Sequence, residues 1–269
     1  MSYSRIFIFT ASALISALLI ACTSAPETGR SQLLLISPSE EARMGFQAFQ
    51  QVKSETPIAR NRKESKQLHK VGRGIASVAQ LPNAQWEFVL FDEPDNPNAF
   101  ALPGGKVGVY TGILPITKNE SGLATVIGHE VAHAVARHGA ERVSQSVLIQ
   151  LGGTALSAAM GSSSGATRDL AMQAYGLGTT IGVALPYSRA QELEADHLGL
   201  LYMARAGYDP REAVDFWKRF QAYGQKRAGK PPEFLSTHPM DSRRIAGLER
   251  MMPKAMAEYE RAKNRRKAG

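Results

Sequence analysis

Apolar and polar positions alternate along this chain with a period that is mostly helical. Residues 37–52, "SPSEEARMGFQAFQQV", repeat apolar side chains every three to four positions behind a start signal. In that signal Ser37 can cap the helix, Pro38 suits its first position and Glu40 closes a capping box. Residues 65–80 continue the helical pattern despite two glycines. Residues 86–114, "WEFVLFDEPDNPNAFALPGGKVGVYTGIL", change to aromatic and β-branched runs broken by D-E-P, N-P and P-G-G, which predicts two or three strands joined by tight turns. One helix is predicted from Glu120 to Gln150. Residues 152–184 are rich in Gly, Ala and Ser, and "MGSSSGAT" divides them into two helices with a mobile connection, neither long enough to span a bilayer. Helix resumes from Ser188 to Ala206, stops at Gly207, and runs again from about Pro210 to Tyr223. The stretch "GKPPEFLSTHPMDS" reads as a loop before a last helix from about Ser242. The sum is an α+β fold, mainly helical, with no internal repeat.

Composition narrows this. The chain has 269 residues, 43% of them hydrophobic, which suits one compact domain over residues 37–250. The formal charge of +8 is concentrated at the end: residues 250–269 carry seven Lys or Arg against two Glu. Residues 251–269 therefore read as a solvated basic tail or one resting on anionic lipid, and no nucleic-acid partner is expected.

The N-terminus accounts for the only cysteine. Arg5 precedes an apolar run from Ile6 to Ala21, about 16 residues long and short of the roughly 20 needed for a span. Residues 1–21 read as a secretory signal. The end of this run, Leu19-Ile20-Ala21-Cys22, resembles a bacterial lipobox, which implies a lipid-modified Cys22 and a tether over residues 22–36. Thr23 after it implies outer-membrane sorting in a Gram-negative host. Acyl chains and the basic tail together would be two membrane signals.

The chemistry lies in "VIGHEVAHAVARHG". Residues four apart share a helix face, so His129 and His133 can turn two imidazoles to one zinc ion while Glu130 projects beside them as a base. His138 lies nine residues beyond His129, about 180° round a continuous helix, and is not expected to join them. A catalytic zinc needs a third protein ligand. In "QELEADHLG" Glu192 and Asp196 share a face, while Glu194 turns away from both. Glu192 is expected as the ligand and Asp196 as the acceptor that orients a ligand histidine.

His129-Glu130-x-x-His133 followed by Glu192-x-x-x-Asp196 resembles the gluzincin zinc peptidases of the HtpX and CAAX-prenyl-protease type, and within them a periplasmic lipoprotein branch related to LoiP. "TGRSQLLLIS", "NAFALPGGKVGVYTGIL", "LPYSRAQELEADHLG" and "THPMDSRRI" also look like family segments, in the family's order. The resemblance implies a zincin-like domain with a small β-sheet beside the active-site helix. It also implies that His238 approaches the zinc from a mobile loop, that Arg244 steadies the oxyanion or the site's carboxylates, and that Asn98-Ala99-Phe100 forms an edge strand where a substrate peptide can add. Arg243 competes with Arg244 for that role.

The expected function is a zinc metalloendopeptidase on the periplasmic face of the outer membrane. It would hydrolyse misfolded or unassembled envelope proteins, with a zinc-activated water and Glu130 as general base. Two other classes remain open: a chaperone-like assembly factor for outer-membrane proteins with weak or latched peptidase activity, and a structural lipoprotein in which zinc only stiffens the fold.

Overall fold

The computed structural model describes residues 22–161, 164–180, 185–226, 232–239 and 242–268. The segment 1–21 read as a secretory signal lies outside them, as does the centre of the "MGSSSGAT" connection. The chain divides into two compact units, residues 1–38 with 137–185 and residues 39–136 with 186–269. The domain expected over residues 37–250 has parts in both units.

The larger unit begins with α1 (Pro38–Glu55), starting at Pro38 as its capping signal predicts, and α2 (Arg62–Ala76). Asn61 caps α2 by accepting from the backbone N–H groups of Lys63 and Glu64, and Leu68, Val71 and Ile75 turn one apolar stripe inward. Three strands follow: β1 (Glu87–Phe91), β2 (Ala99–Leu102) and β3 (Lys106–Tyr110). The spatial order is β1-β3-β2, with β1 and β3 parallel and β2 antiparallel to β3. A 3-10 turn (Thr111–Ile113) and the short α3 (Leu114–Thr117) lead to α4 (Glu120–Val135), where Asn119 caps by accepting from Gly122 N–H.

Every residue of α4 from Gly122 to Val135 is buried. A helix enclosed all round needs no polar face, so its amphipathicity is weak. It packs against α2 and β2. It ends at Ala136 because Arg137 adopts a left-handed backbone, φ 58°, from which α5 (His138–Ala159) departs. The continuous helix predicted to Gln150 is therefore two helices, and no local sequence signal marks the break: arginine is an unusual residue for that conformation.

The rest of the larger unit is α7 (Leu185–Arg205), α8 (Arg211–Lys226), α9 (Glu233–Thr237) and α10 (Ser242–Ala268). Gly207, φ 78°, closes α7: its own N–H bonds Ala204 O, and Tyr208 N–H bonds Met203 O at 2.9 Å. The loop expected around His238 contains the five-residue α9, whose Phe234 is wholly buried against the aromatic face of α8. In α10 the backbone continues through Pro253 to Ala268, so the segment read as a basic tail forms the last turns of a helix.

The smaller unit holds a two-stranded ribbon, β4 (Cys22–Ser24) paired antiparallel with β5 (Ser31–Leu33), together with α5 and α6 (Gly165–Thr179).

Candidate metal centre

Two helices of the larger unit bring the site together, and two glycines let them meet. A Cβ on Gly199 of α7 would lie 2.7 Å from the backbone N of His129, and one on Gly128 of α4 would lie 2.8 Å from Gly199 O. Only glycine at both positions allows this backbone contact. It aligns the face bearing His129 and His133 with the face bearing Glu192 and Asp196.

The donor atoms of His129, His133, Glu192 and His238 lie within 4.8 Å of one another. Nε2 of His133 is 3.1 Å from Nε2 of His129. Glu192 places one carboxylate oxygen 3.3 Å from His129 Nε2 and the other 3.3 Å from His133 Nε2. Those separations match the edges of a tetrahedron with arms of about 2.0–2.1 Å, the usual zinc–nitrogen and zinc–oxygen lengths. Two imidazoles and a carboxylate, all buried, fit a divalent metal of borderline softness. His238 adds Nδ1, 3.1 Å from both oxygens of Glu192 and 3.3 Å from His129 Nε2. Its Nε2 points to Glu130, whose Oε1 lies 3.5 Å away.

Behind the donors runs a chain of buried charge. His129 Nδ1 lies 3.0 Å from Asp196 Oδ1. Arg244 donates from Nε and Nη2 to the two oxygens of Asp196, each at 2.7 Å, and its Nη1 lies 3.2 Å from Glu192. Burial alone would discourage charge on His129, but the Asp196 and Glu192 carboxylates outweigh it and hold its pKa up at about 9. Burial likewise opposes ionisation of Asp196 and Glu192. The Arg244 guanidinium prevails at Asp196 and the surrounding histidines prevail at Glu192, so both carboxyls sit below their ordinary range.

Most of the residues expected from the sequence are brought together here. His129, His133 and Glu192 form the donor set with His238, Glu130 is buried beside His238, and Asp196 backs His129. Arg244 takes the carboxylate-steadying role, while Arg243 is exposed. Asn98, Ala99 and Phe100 are not among the donors. Ala99 and Phe100 begin β2, the edge of the sheet, which packs along the HExxH helix. Glu194 is buried outside the donor cluster, and His138 starts α5 beyond the helix break. Cys22 begins β4 in the smaller unit.

One residue packed against the site is absent from the sequence reading. Trp217, fully buried on α8, stacks under the Arg244 guanidinium, 4.2 Å from ring centroid to Cζ, and stands edge-on to His129 at 5.2 Å. Its signal is the apolar stripe Ala213, Phe216, Trp217 and Phe220, which is indistinguishable in sequence from any core-facing helix. Phe234 stacks on Trp217 at 5.9 Å and touches the His238 ring at 4.5 Å, which seats α9 against the site.

Similar proteins bear on this arrangement. The mitochondrial metalloendopeptidase OMA1 of Schizosaccharomyces pombe is 35% identical, over 87% of this chain and 68% of that protein. The protein of the same name from Saccharomyces cerevisiae is 38% identical over 68% of this chain and 51% of its own length. The beta-barrel assembly-enhancing protease of Escherichia coli is 28% identical over 82% of this chain and 45% of its own length. The chain thus spans about half the length of two of these relatives. They support the peptidase family rather than the narrower HtpX or CAAX type or the lipoprotein branch. The profile of peptidase family M48 matches residues 62–252, a span that contains every member of the donor cluster and its supporting residues. This chain belongs to peptidase family M48.

Proposed function

We propose that the chain is a zinc-dependent metalloendopeptidase of the bacterial cell envelope, anchored by lipid on Cys22 to the periplasmic face of the outer membrane. Its substrates are misfolded or unassembled envelope proteins. The observation that carries the reading is the buried His129, His133 and Glu192 donor set with Glu130 buried beside His238. Similarity to proteins named metalloendopeptidases supports hydrolysis within a chain. The lipobox-like N-terminus and the E. coli relative support the envelope over the mitochondrial setting of the OMA1 proteins.

Zinc held by His129, His133 and Glu192 would supply Lewis acidity at this point. Glu130 takes the proton of the attacking water and delivers it to the leaving nitrogen. Asp196 holds His129 by its Nδ1 edge so that Nε2 faces the metal, and Arg244 fixes Asp196. The edge strand at Asn98-Ala99-Phe100 receives an extended substrate through main-chain hydrogen bonds.

The test compares parent and Glu130→Gln on unfolded casein with zinc measured in both. The variant should keep one zinc per chain and lose hydrolysis by about 10²–10⁴-fold; hydrolysis at the parent rate refutes the mechanism. A second reading, a chaperone-like assembly factor with latched peptidase activity, is favoured by His238 standing among the donors. It requires Glu130→Gln to retain the assembly function in cells.

A further inference from the structure

The smaller unit contains a helical pair that leaves much apolar surface exposed among the described residues. No residue of α6 is buried, and a 15-residue helix standing alone is marginal in water. Yet α5 and α6 are joined firmly. The Tyr175 hydroxyl donates to Ile149 O at 2.9 Å, and its ring closes on Gly152 and Gly153. What the pair leaves outside is apolar: Leu151, Leu170 and Leu177 are 61%, 69% and 63% exposed. Val143 and Val147 are also exposed and extend the Leu151 stripe at four-residue spacing along α5, while Leu170 and Leu177 share a face of α6.

Charge identifies the occupant. Between Arg142 and Arg189 the only charged residues are Arg168 and Asp169. Arg168 is turned inward, donating to Met160 O and Gly161 O, the carbonyls at the end of α5. A protein partner would ordinarily be met by a polar, partly charged rim around the apolar centre. Uncharged Ser, Thr, Gln and Gly flanking exposed leucines suit the boundary between headgroups and acyl chains. Among the described residues no helix is long and apolar enough to cross a membrane.

The root of the hairpin is fastened to the segment that follows Cys22. Arg30 donates twice to Glu141 at 2.8 Å, Leu35 N–H donates to Ser144 Oγ at 2.9 Å, and Arg137 donates to Ile36 O at 2.8 Å. A lipid on Cys22 would therefore hold this unit at a bilayer. We propose that the α5–α6 hairpin is a membrane-interface element that lays Leu151, Leu170 and Leu177 into the bilayer surface by apolar insertion rather than attraction to anionic headgroups. The choice of a bilayer rests in part on the lipid-anchor reading.

The test uses the mature protein in phosphatidylcholine vesicles, with an environment-sensitive fluorophore on Leu151→Cys, Leu177→Cys or, in the larger unit, the exposed Lys66→Cys. Mass spectrometry reports the state of Cys22, whose acylated sulfur does not label. Nitroxides on the acyl chains should quench residues 151 and 177 about twofold or more, at low and high salt alike, with residue 66 as the reference. Labels that stay in water with Cys22 lipidated overturn the hairpin inference alone. Labels shielded from water without quenching indicate a second copy or another protein and also overturn it, as does quenching that needs anionic lipid. With Cys22 unmodified the anchor reading fails, and the measurement is repeated with Cys22→Ser in each variant: quenching then sustains the hairpin inference and its absence overturns it.

Discussion

His238 stands between Glu192 and Glu130, with Nδ1 3.1 Å from the former and Nε2 3.5 Å from the latter. One imidazole thus occupies the position beside the other donors and the approach to Glu130, the proposed general base. A water and a scissile carbonyl need that same space.

His238→Ala should therefore raise hydrolysis of unfolded casein while His129, His133 and Glu192 keep the metal. Zinc content and initial rates together check this: an increase of several-fold is expected. A fall in rate at full zinc would assign His238 to the reaction itself rather than to a latch.

Asp196→Asn removes the charge that faces His129 Nδ1 and the carboxylate that Arg244 clamps. Zinc affinity should weaken by about 10–100-fold. Competition with a chelating dye measures it, and unchanged affinity would show that His129 is oriented by packing against Trp217 alone.

Gly199→Ala adds one methyl where the backbone N of His129 would be 2.7 Å away. The α4–α7 contact must open, at a cost of about 1–3 kcal/mol. The expected result is a lower thermal midpoint together with weaker zinc binding, because the same displacement separates Glu192 from the two histidines. A midpoint that falls without loss of zinc affinity would separate packing from site geometry.

Without metal, His129 holds a proton more firmly folded than unfolded, its pKa raised from 6.5 to about 9. Its contribution to stability is fully present below pH 6.5 and is lost as pH rises through about 9. Chelator-treated protein should lose thermal stability across that window. Zinc requires the neutral ring, so loading the metal at neutral pH should release a proton from His129, detectable by calorimetry in buffers of different ionisation enthalpy. No proton release would contradict the raised pKa.

The chain by itself determined which residues are candidates for the chemistry and most of the elements that carry them. Spacing within HExxH selects His129, Glu130 and His133, and the i, i+4 relation selects Glu192 and Asp196 over Glu194, because helical periodicity is a local rule that survives without knowledge of neighbours. The helix start at Pro38 and the stop at Gly207 follow local backbone chemistry too. Tertiary structure decided the rest, and it brings together what the family resemblance implies for Arg244 and His238. Arg244 rather than Arg243 reaches Asp196 because α10 turns that face inward, and Trp217 becomes part of the site because α8 packs beneath it. The break at Arg137 and the division into two units follow from competing packing surfaces, which no periodicity encodes. His238 meets the metal donors from 46 residues beyond Glu192, since Phe234 finds its seat on Trp217 and Phe220. Such contacts join positions distant in sequence, and their energies exist only once the chain has closed on itself.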